Sequence, residues 1–251
     1  MKPGHLKGAI LEYIVRNILK SCGFKNVKPD GLYIYEDKGL FLVNGKGASH
    51  DTDVLMDPPV QIPFSYPMRI IFECKSYDTT VGLAIVRNAA GMREDINNFE
   101  IVTKDFLMAR KKNRTKFAVE NRNRHMYQVG VVSLDKFSAP ATEFAINNKI
   151  PLLSIAANFN QYVADKINSI SLDEIEKYSS SSVKNLYAFF KDRNGDLFTS
   201  KYESAREILY DNNQVFQIIH TLSEYIIRNT YVGLLESGQI ILLHKPDDGS
   251  E

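Results

Sequence analysis

Apolar residues recur at helical spacing through GHLKGAILEYIVRNILKSCGF (4–24), at Leu11, Ile14, Val15, Ile18 and Cys22, and Gly23 follows as a C-cap. Short strand-like runs come next: LYIY (32–35), LFLV (40–43), DVLMD (53–57) and MRIIFECKSY (68–77), separated by Gly39, the GKG of 45–47 and the proline-rich 58–67. Helical spacing returns in 82–99 through Leu83, Val86, Ala90 and Met92. QVGVVSL (128–134) reads as a buried strand, 138–149 as a short helix with proline in its first turn, and PLLSIA (151–156) as another buried strand. Strand, helix and strand in succession imply a parallel crossover, so residues 1–157 are predicted to form an α/β domain, a mixed sheet flanked by helices.

The pattern changes past residue 157. NQYVADKINSISLDEIEKY looks helical, Ser179–Ser182 looks like a linker or turn, and 186–200 carries a hairpin signal with Asn194-Gly195 at its turn. A helix over 215–229 precedes a second hairpin, YVGLLESGQIILLHK. Residues 158–251 are therefore expected to be a small α+β C-terminal appendage, and none of its residues carries a recognisable chemical motif.

A chain of 251 residues, 44% apolar, can bury a substantial core. Its most apolar stretch, YIIRNTYVGLLESGQIILL, is broken by Arg228, Asn229 and Glu236, and the N-terminus lacks a signal-peptide pattern, so a soluble cytoplasmic protein is expected. Cys22 and Cys74 lie far apart in apolar contexts, which argues for reduced core thiols, and the five histidines show no paired-ligand spacing. Net charge is +1 but uneven: residues 1–157 hold 22 Lys+Arg against 16 Asp+Glu, and 158–251 hold 9 against 14. Residues 104–125 alone hold eight basic and two acidic residues, a solvated face unless a polyanionic partner is indicated elsewhere.

Such an indication comes from FECKSY (72–77). Side chains alternate along a strand, so Glu73 and Lys75 share one face with Arg69 and Ile71. A strand starting at Asp53 and pairing antiparallel with 68–77 would bring the Asp53 carboxylate to that of Glu73, and two converging carboxylates repel unless a positive charge stands between them. Hard oxygen ligands in small number suit Mg²⁺ or Mn²⁺, which keep several waters and accept phosphate oxygens. Asp51, on the same strand face, is a rival of Asp53; Val54-Leu55-Met56 following Asp53 as a strand favours the latter.

An Asp at the start of one strand and Glu-x-Lys about twenty residues later on the next resembles the PD-(D/E)xK nuclease superfamily, with its restriction-endonuclease-like fold. More narrowly, the acid-bearing first helix, GKGASHDTDVL, FECKSY and VGVVSLDKFSAPATEFAINNKIPLLS are similar to the Mrr-like branch. The resemblance covers residues 4 to about 156. It implies that Asp53 and Glu73 bind the metal, that Lys75 positions the attacking water, that Glu12 joins or orients the metal site, and that the Cys74 backbone carbonyl is a further ligand. Thr52 departs from the pattern, standing where the motif has proline. Duller readings stay open: Glu12 as the partner of Arg16 one turn on, and Glu73 with Lys75 as a same-face ion pair.

The same resemblance implies a DNA substrate, with RNA not excluded, and a role in restriction or anti-phage defence or in repair. Arg110, Lys111, Lys112, Arg114, Lys116, Arg122 and Arg124 then become candidate phosphate contacts, with Lys46 a further one and Arg87 and Arg93 an extension of that surface. His50 fits either a role orienting a phosphate or Asp53, or that of a loop histidine satisfied by backbone. The acidic C-terminal region suggests a protein partner or a homo-oligomer contact rather than nucleic acid. The rival from another class is a catalytically silent nucleic-acid-binding or scaffolding subunit.

Overall fold

A computed structural model describes all residues except 38, 62–65, 101–103, 105–107, 109–110, 113–124, 211–213, 236–238 and 246–251. Helix α1 (Pro3–Ser21) opens the chain and ends where Gly23, at φ 88°, takes the left-handed conformation a C-cap requires. A two-residue strand β1 (Lys25–Asn26) leads to a small antiparallel sheet of β2 (Ile34–Asp37), β3 (Leu40–Asn44) and β4 (Ser49–Asp51). The main sheet adds β5 (Val54–Asp57), β6 (Met68–Lys75), β7 (Met126–Ser133) and β8 (Leu152–Ser154) in the order β1-β5-β6-β7-β8. β5 and β6 are antiparallel, whereas β6, β7 and β8 run parallel. The expected mixed sheet flanked by helices is thus present.

Alternation along β6 sorts the two faces. Ile70, Phe72 and Cys74 lie in one core with α1, and Ile71 lies in the other with Leu55, Val129 and Val131. The second core is closed by α2 (Leu83–Asn97) and α3 (Ala139–Asn148), the latter capped by Ser138 and carrying Pro140 in its first turn. Helix α3 bridges β7 and β8 as the predicted parallel crossover.

Four short helices follow β8: α4 (Ile155–Asn158), α5 (Gln161–Asn168), α6 (Leu172–Glu176) and α7 (Ser180–Lys191). They continue through a 3-10 turn at Ser200–Tyr202 into α8 (Glu203–Tyr210), α9 (Gln214–Asn229) and a hairpin of β9 (Thr230–Leu234) and β10 (Ile240–His244). Two expectations are corrected here. Residues 186–200 are no hairpin: Val183, Leu186, Phe189 and Phe190 recur at helical spacing and are buried, so α7 forms and Asn194-Gly195 only turns the chain after it. The serine run is no linker, since the Ser179 side chain accepts the Ser182 N–H and starts that helix. The expected boundary at residue 157 marks no break in packing, because Leu186, Phe189, Phe216 and Ile226 share one core with Leu6, Ile14 and Ile18 of α1. Arg16, buried on α1, donates to the Phe190 carbonyl and ties α7 to that helix.

Candidate functional site

Strand register decides where the acids meet. Val54 pairs with Phe72, so Asp53, one residue before β5, stands opposite Glu73. The Asp53 carboxylate accepts the Cys74 N–H at 2.7 Å, which fixes it at the end of β6. Glu73 and Lys75 share a face as alternation requires, and the Lys75 ammonium donates to Glu73 Oε2 at 3.0 Å. Glu73 Oε1 is buried and has no hydrogen-bond partner among the described residues. Thr52 explains the departure from proline at its position: its N–H and its hydroxyl both donate to the Phe41 carbonyl at 3.0 Å, anchoring β4 to β3 just before Asp53, and proline has neither donor. Asp51, the rival acid, is an exposed residue of β4 paired with Leu42.

Glu12 reaches the same centre from α1. It is only 6% exposed, and its partner is Lys191, at the end of α7, whose ammonium donates to Glu12 Oε2 at 2.6 Å. The alternative Glu12–Arg16 pair is not the one formed, although the Arg16 charge still acts on Glu12. Lys191 was invisible in the sequence because nothing near it marks chemistry; it becomes a site residue only through the packing of α7 on α1.

The electrostatics follow from burial. Desolvation, and then the neighbouring Asp53 charge, hold the Glu73 carboxyl above its ordinary value against the opposing pull of Lys75. Desolvation raises Asp53 as well, offset in part by the Cys74 N–H, Lys75 and Lys191. Glu12 is raised by desolvation and by Asp53, with Lys191 opposing. Burial works against both ammonium groups, yet Glu73 and Asp53 hold Lys75 above its ordinary value, and Glu12 and Asp53 do the same for Lys191. Four acids, Glu12, Asp51, Asp53 and Glu73, and two lysines, Lys75 and Lys191, therefore interact around Asp53. The Cys74 thiol lies under α1, and burial followed by the three carboxylates pushes it well above the ordinary thiol range, which leaves it inert.

Among the described residues, no three His, Cys, Asp or Glu side chains form a ready-made metal cage. A small hard cation needs less: one or two carboxylates, with waters and substrate phosphate completing its shell. Asp53 and Glu73 offer that oxygen set, and the unpaired Glu73 Oε1 is a buried acceptor with room in its hydrogen-bonding for a cation.

The other expected contacts are dispersed. His50 Nε2 lies 2.8 Å from Asp95 Oδ2 and is occupied there rather than at Asp53. Asp95, near the end of α2, also accepts the N–H groups of Gly47 and Ala48, so it clamps the glycine-rich loop, and an added Cβ at Gly45 would stand 2.0 Å from its Oδ2. Lys46 is exposed beside this clamp. Arg93 donates to the carbonyls of Asn148 and Lys149 and joins α2 to α3, and Arg87 lies over the Phe144 ring. Lys111 and Lys112 are exposed; Arg110, Arg114, Lys116, Arg122 and Arg124 lie outside the described residues.

No family model and no curated protein matches the chain. A solved structure titled as a protein of unknown function, AF1548, is similar over 88% of this chain and 98% of its own, at 15% identity and a TM-score of 0.44. No helix among the described residues is long and apolar enough to cross a membrane.

Proposed function

We propose that this chain is a Mg²⁺- or Mn²⁺-dependent nuclease that hydrolyses phosphodiester bonds, with DNA as its substrate and a cytoplasmic role in restriction or defence. One observation carries the reading: Asp53 and Glu73 face each other at the end of β5 and β6, with Lys75 on one Glu73 oxygen and the other oxygen buried without a partner. A divalent cation bound there would supply charge stabilisation at the scissile phosphate and acidify an attacking water. The chain's own residues do the rest. Asp53, pinned by the Cys74 N–H, and Glu73 hold the oxygen set in place; Lys75 presents a fixed ammonium to the phosphate; Lys191 opposes the burial that raises Glu12 beside them. Such preorganised charges cost no reorganisation during reaction, and losing one typically lowers rate about 10²–10³-fold.

A second reading is a nucleic-acid-binding subunit without cleavage, favoured by the two ammonium groups already paired with Glu73 and Glu12. Incubating the purified chain with plasmid DNA and Mg²⁺ or Mn²⁺ separates the two. Cleavage abolished by EDTA and by Lys75→Ala is the expected result, and DNA binding with no cutting under any metal selects the second reading.

A further inference from the structure

A cavity of about 400 Å³ opens where the end of α1, β1 and the β2–β3 hairpin meet the tail of α7. Its walls carry Lys20, Lys25, Lys28 and Arg193 but one carboxylate, Glu36. Lys20 donates to the Arg193 carbonyl, and Asn26 donates to the same oxygen at 2.9 Å, so the tail of α7 is fixed at this corner. Among the described residues, Lys25, Lys28 and Arg193 make no ion pair.

Arg193 is the informative residue. Its guanidinium lies 3.4 Å from the centroid of the Phe41 ring and donates to the Thr52 carbonyl at 3.5 Å. Burial, and then Arg16, hold it down to about 10, so it stays cationic at neutral pH without a carboxylate partner. Partial burial of an unpaired cation is costly, and an anionic ligand offsets that cost. Arg193 both lines the cavity and donates to the carbonyl of Thr52, the residue before Asp53, and the charges of Glu36, Glu12 and Asp51 all act on it. The pairs Lys25–Asp57 and Asn26–Met56 are antiparallel, so β1 advances along β5 in the direction of its Asp53 end.

We infer that this corner is a phosphate-binding subsite, in which Arg193, Lys25 and Lys28 seat the sugar-phosphate backbone of a nucleic acid strand next to the Asp53–Glu73 centre. The inference rests on the proposed function for the class of ligand, and it assigns part of the contact surface to the acidic C-terminal region. A strand is favoured over free phosphate because several cations rather than one line the cavity, with Lys25 and Lys28 exposed and Arg193 half-buried, and a planar guanidinium suits a phosphate diester oxygen pair.

The test is fluorescence anisotropy of labelled single- and double-stranded oligonucleotides with the full chain in EDTA, where cleavage cannot interfere. The double variant Lys25→Glu/Lys28→Glu is compared with a charge-matched control, Lys136→Glu/Lys184→Glu, both pairs being exposed. The subsite variant is expected to bind at least tenfold more weakly, with a slope of log K against log salt shallower by about one to two, and the control to change less than threefold. Arg193→Gln should weaken binding in the same direction. Equal binding by subsite variant and control overturns the inference, as does an unchanged salt slope. Titration with inorganic phosphate forms the second arm: wild-type binding of phosphate with no oligonucleotide binding would assign the cavity to a free anion and overturn the strand assignment. Weakened oligonucleotide binding in a chain that never cleaves would leave the subsite standing and remove the nuclease reading instead.

Discussion

The Lys191 ammonium donates to Glu12 Oε2 at 2.6 Å, joining residues 179 apart in sequence. Glu12 has a side chain only 8% exposed, while that of Lys191 is 38% exposed. Removing one partner of a fully buried pair costs about 3–5 kcal/mol, and the partial exposure of Lys191 reduces that to about 1–3 kcal/mol for Lys191→Met. The double variant Glu12→Gln/Lys191→Met removes both charges and is expected to recover most of the loss. Urea denaturation of the four chains in the cycle measures the coupling; strictly additive effects would mean that the pair contributes nothing.

If Asp53 serves the proposed centre, it does so at a cost in stability. Burial, and the charges of nearby acids, disfavour its ionised form, and Asn can still accept the Cys74 N–H without the charge. Asp53→Asn is therefore expected to raise the melting temperature in EDTA by roughly 2–4 °C, about 1 kcal/mol, while lowering plasmid cleavage at least about 10²-fold. A destabilised variant that retains cleavage would remove Asp53 from the centre.

The part of this site visible in the sequence is the part that local rules dictate. Strand alternation alone puts Glu73 and Lys75 on one face, antiparallel pairing brings Asp53 opposite Glu73, and the Leu11, Ile14, Val15 and Ile18 stripe turns α1 towards the sheet. Lys191 and Arg193 obey no local rule. Leu186, Ala188 and Phe190 alternate like a strand, and Asn194-Gly195 is a strong hairpin signal, so a period of two competes with the helical spacing of Val183, Leu186, Phe189 and Phe190. Packing against α1 selects the helix, and with it the two cations that reach Glu12 and Thr52. The two-residue β1 and three-residue β4 exist only through their pairing partners, and the Asp95 clamp on the glycine-rich loop joins residues nearly fifty positions apart.

Gly130 tests the packing that holds β6. It is paired with Phe72 across the parallel ladder, and a Cβ there would stand 2.6 Å from Phe72 Cε1 and 2.9 Å from the Pro151 carbonyl oxygen. Phe72 is 2% exposed and has nowhere to retreat, and Pro151 O already accepts the Val131 N–H at 2.9 Å. Gly130→Ala is expected to cost about 1–3 kcal/mol in urea denaturation, with partial recovery on adding Phe72→Leu. A neutral effect would mean that β7 and β8 separate without cost.

The raised carboxyls of Glu12, Asp53 and Glu73 set a pH dependence of definite sign. A carboxyl held above its ordinary value takes up protons more readily in the fold than in the unfolded chain. Its contribution to stability is full below the ordinary values of 4.5, 3.8 and 4.5 and is lost as pH rises through the raised ones. Other groups titrate too: burial lowers His125 and His220, which favours the fold as pH rises. These are common to wild type and Asp53→Asn, so the difference in melting temperature between the two isolates the carboxyl cluster. In EDTA that difference is expected to shrink as pH falls towards the ordinary carboxyl range. A divalent cation at the cluster favours the ionised carboxylates, so ~10 mM Mg²⁺ should stabilise wild type by a few degrees at pH 8, less as pH falls towards the ordinary carboxyl range, and leave Asp53→Asn nearly unchanged. Equal Mg²⁺ stabilisation of both chains at every pH would show that the ion binds elsewhere and that Asp53 does not hold it.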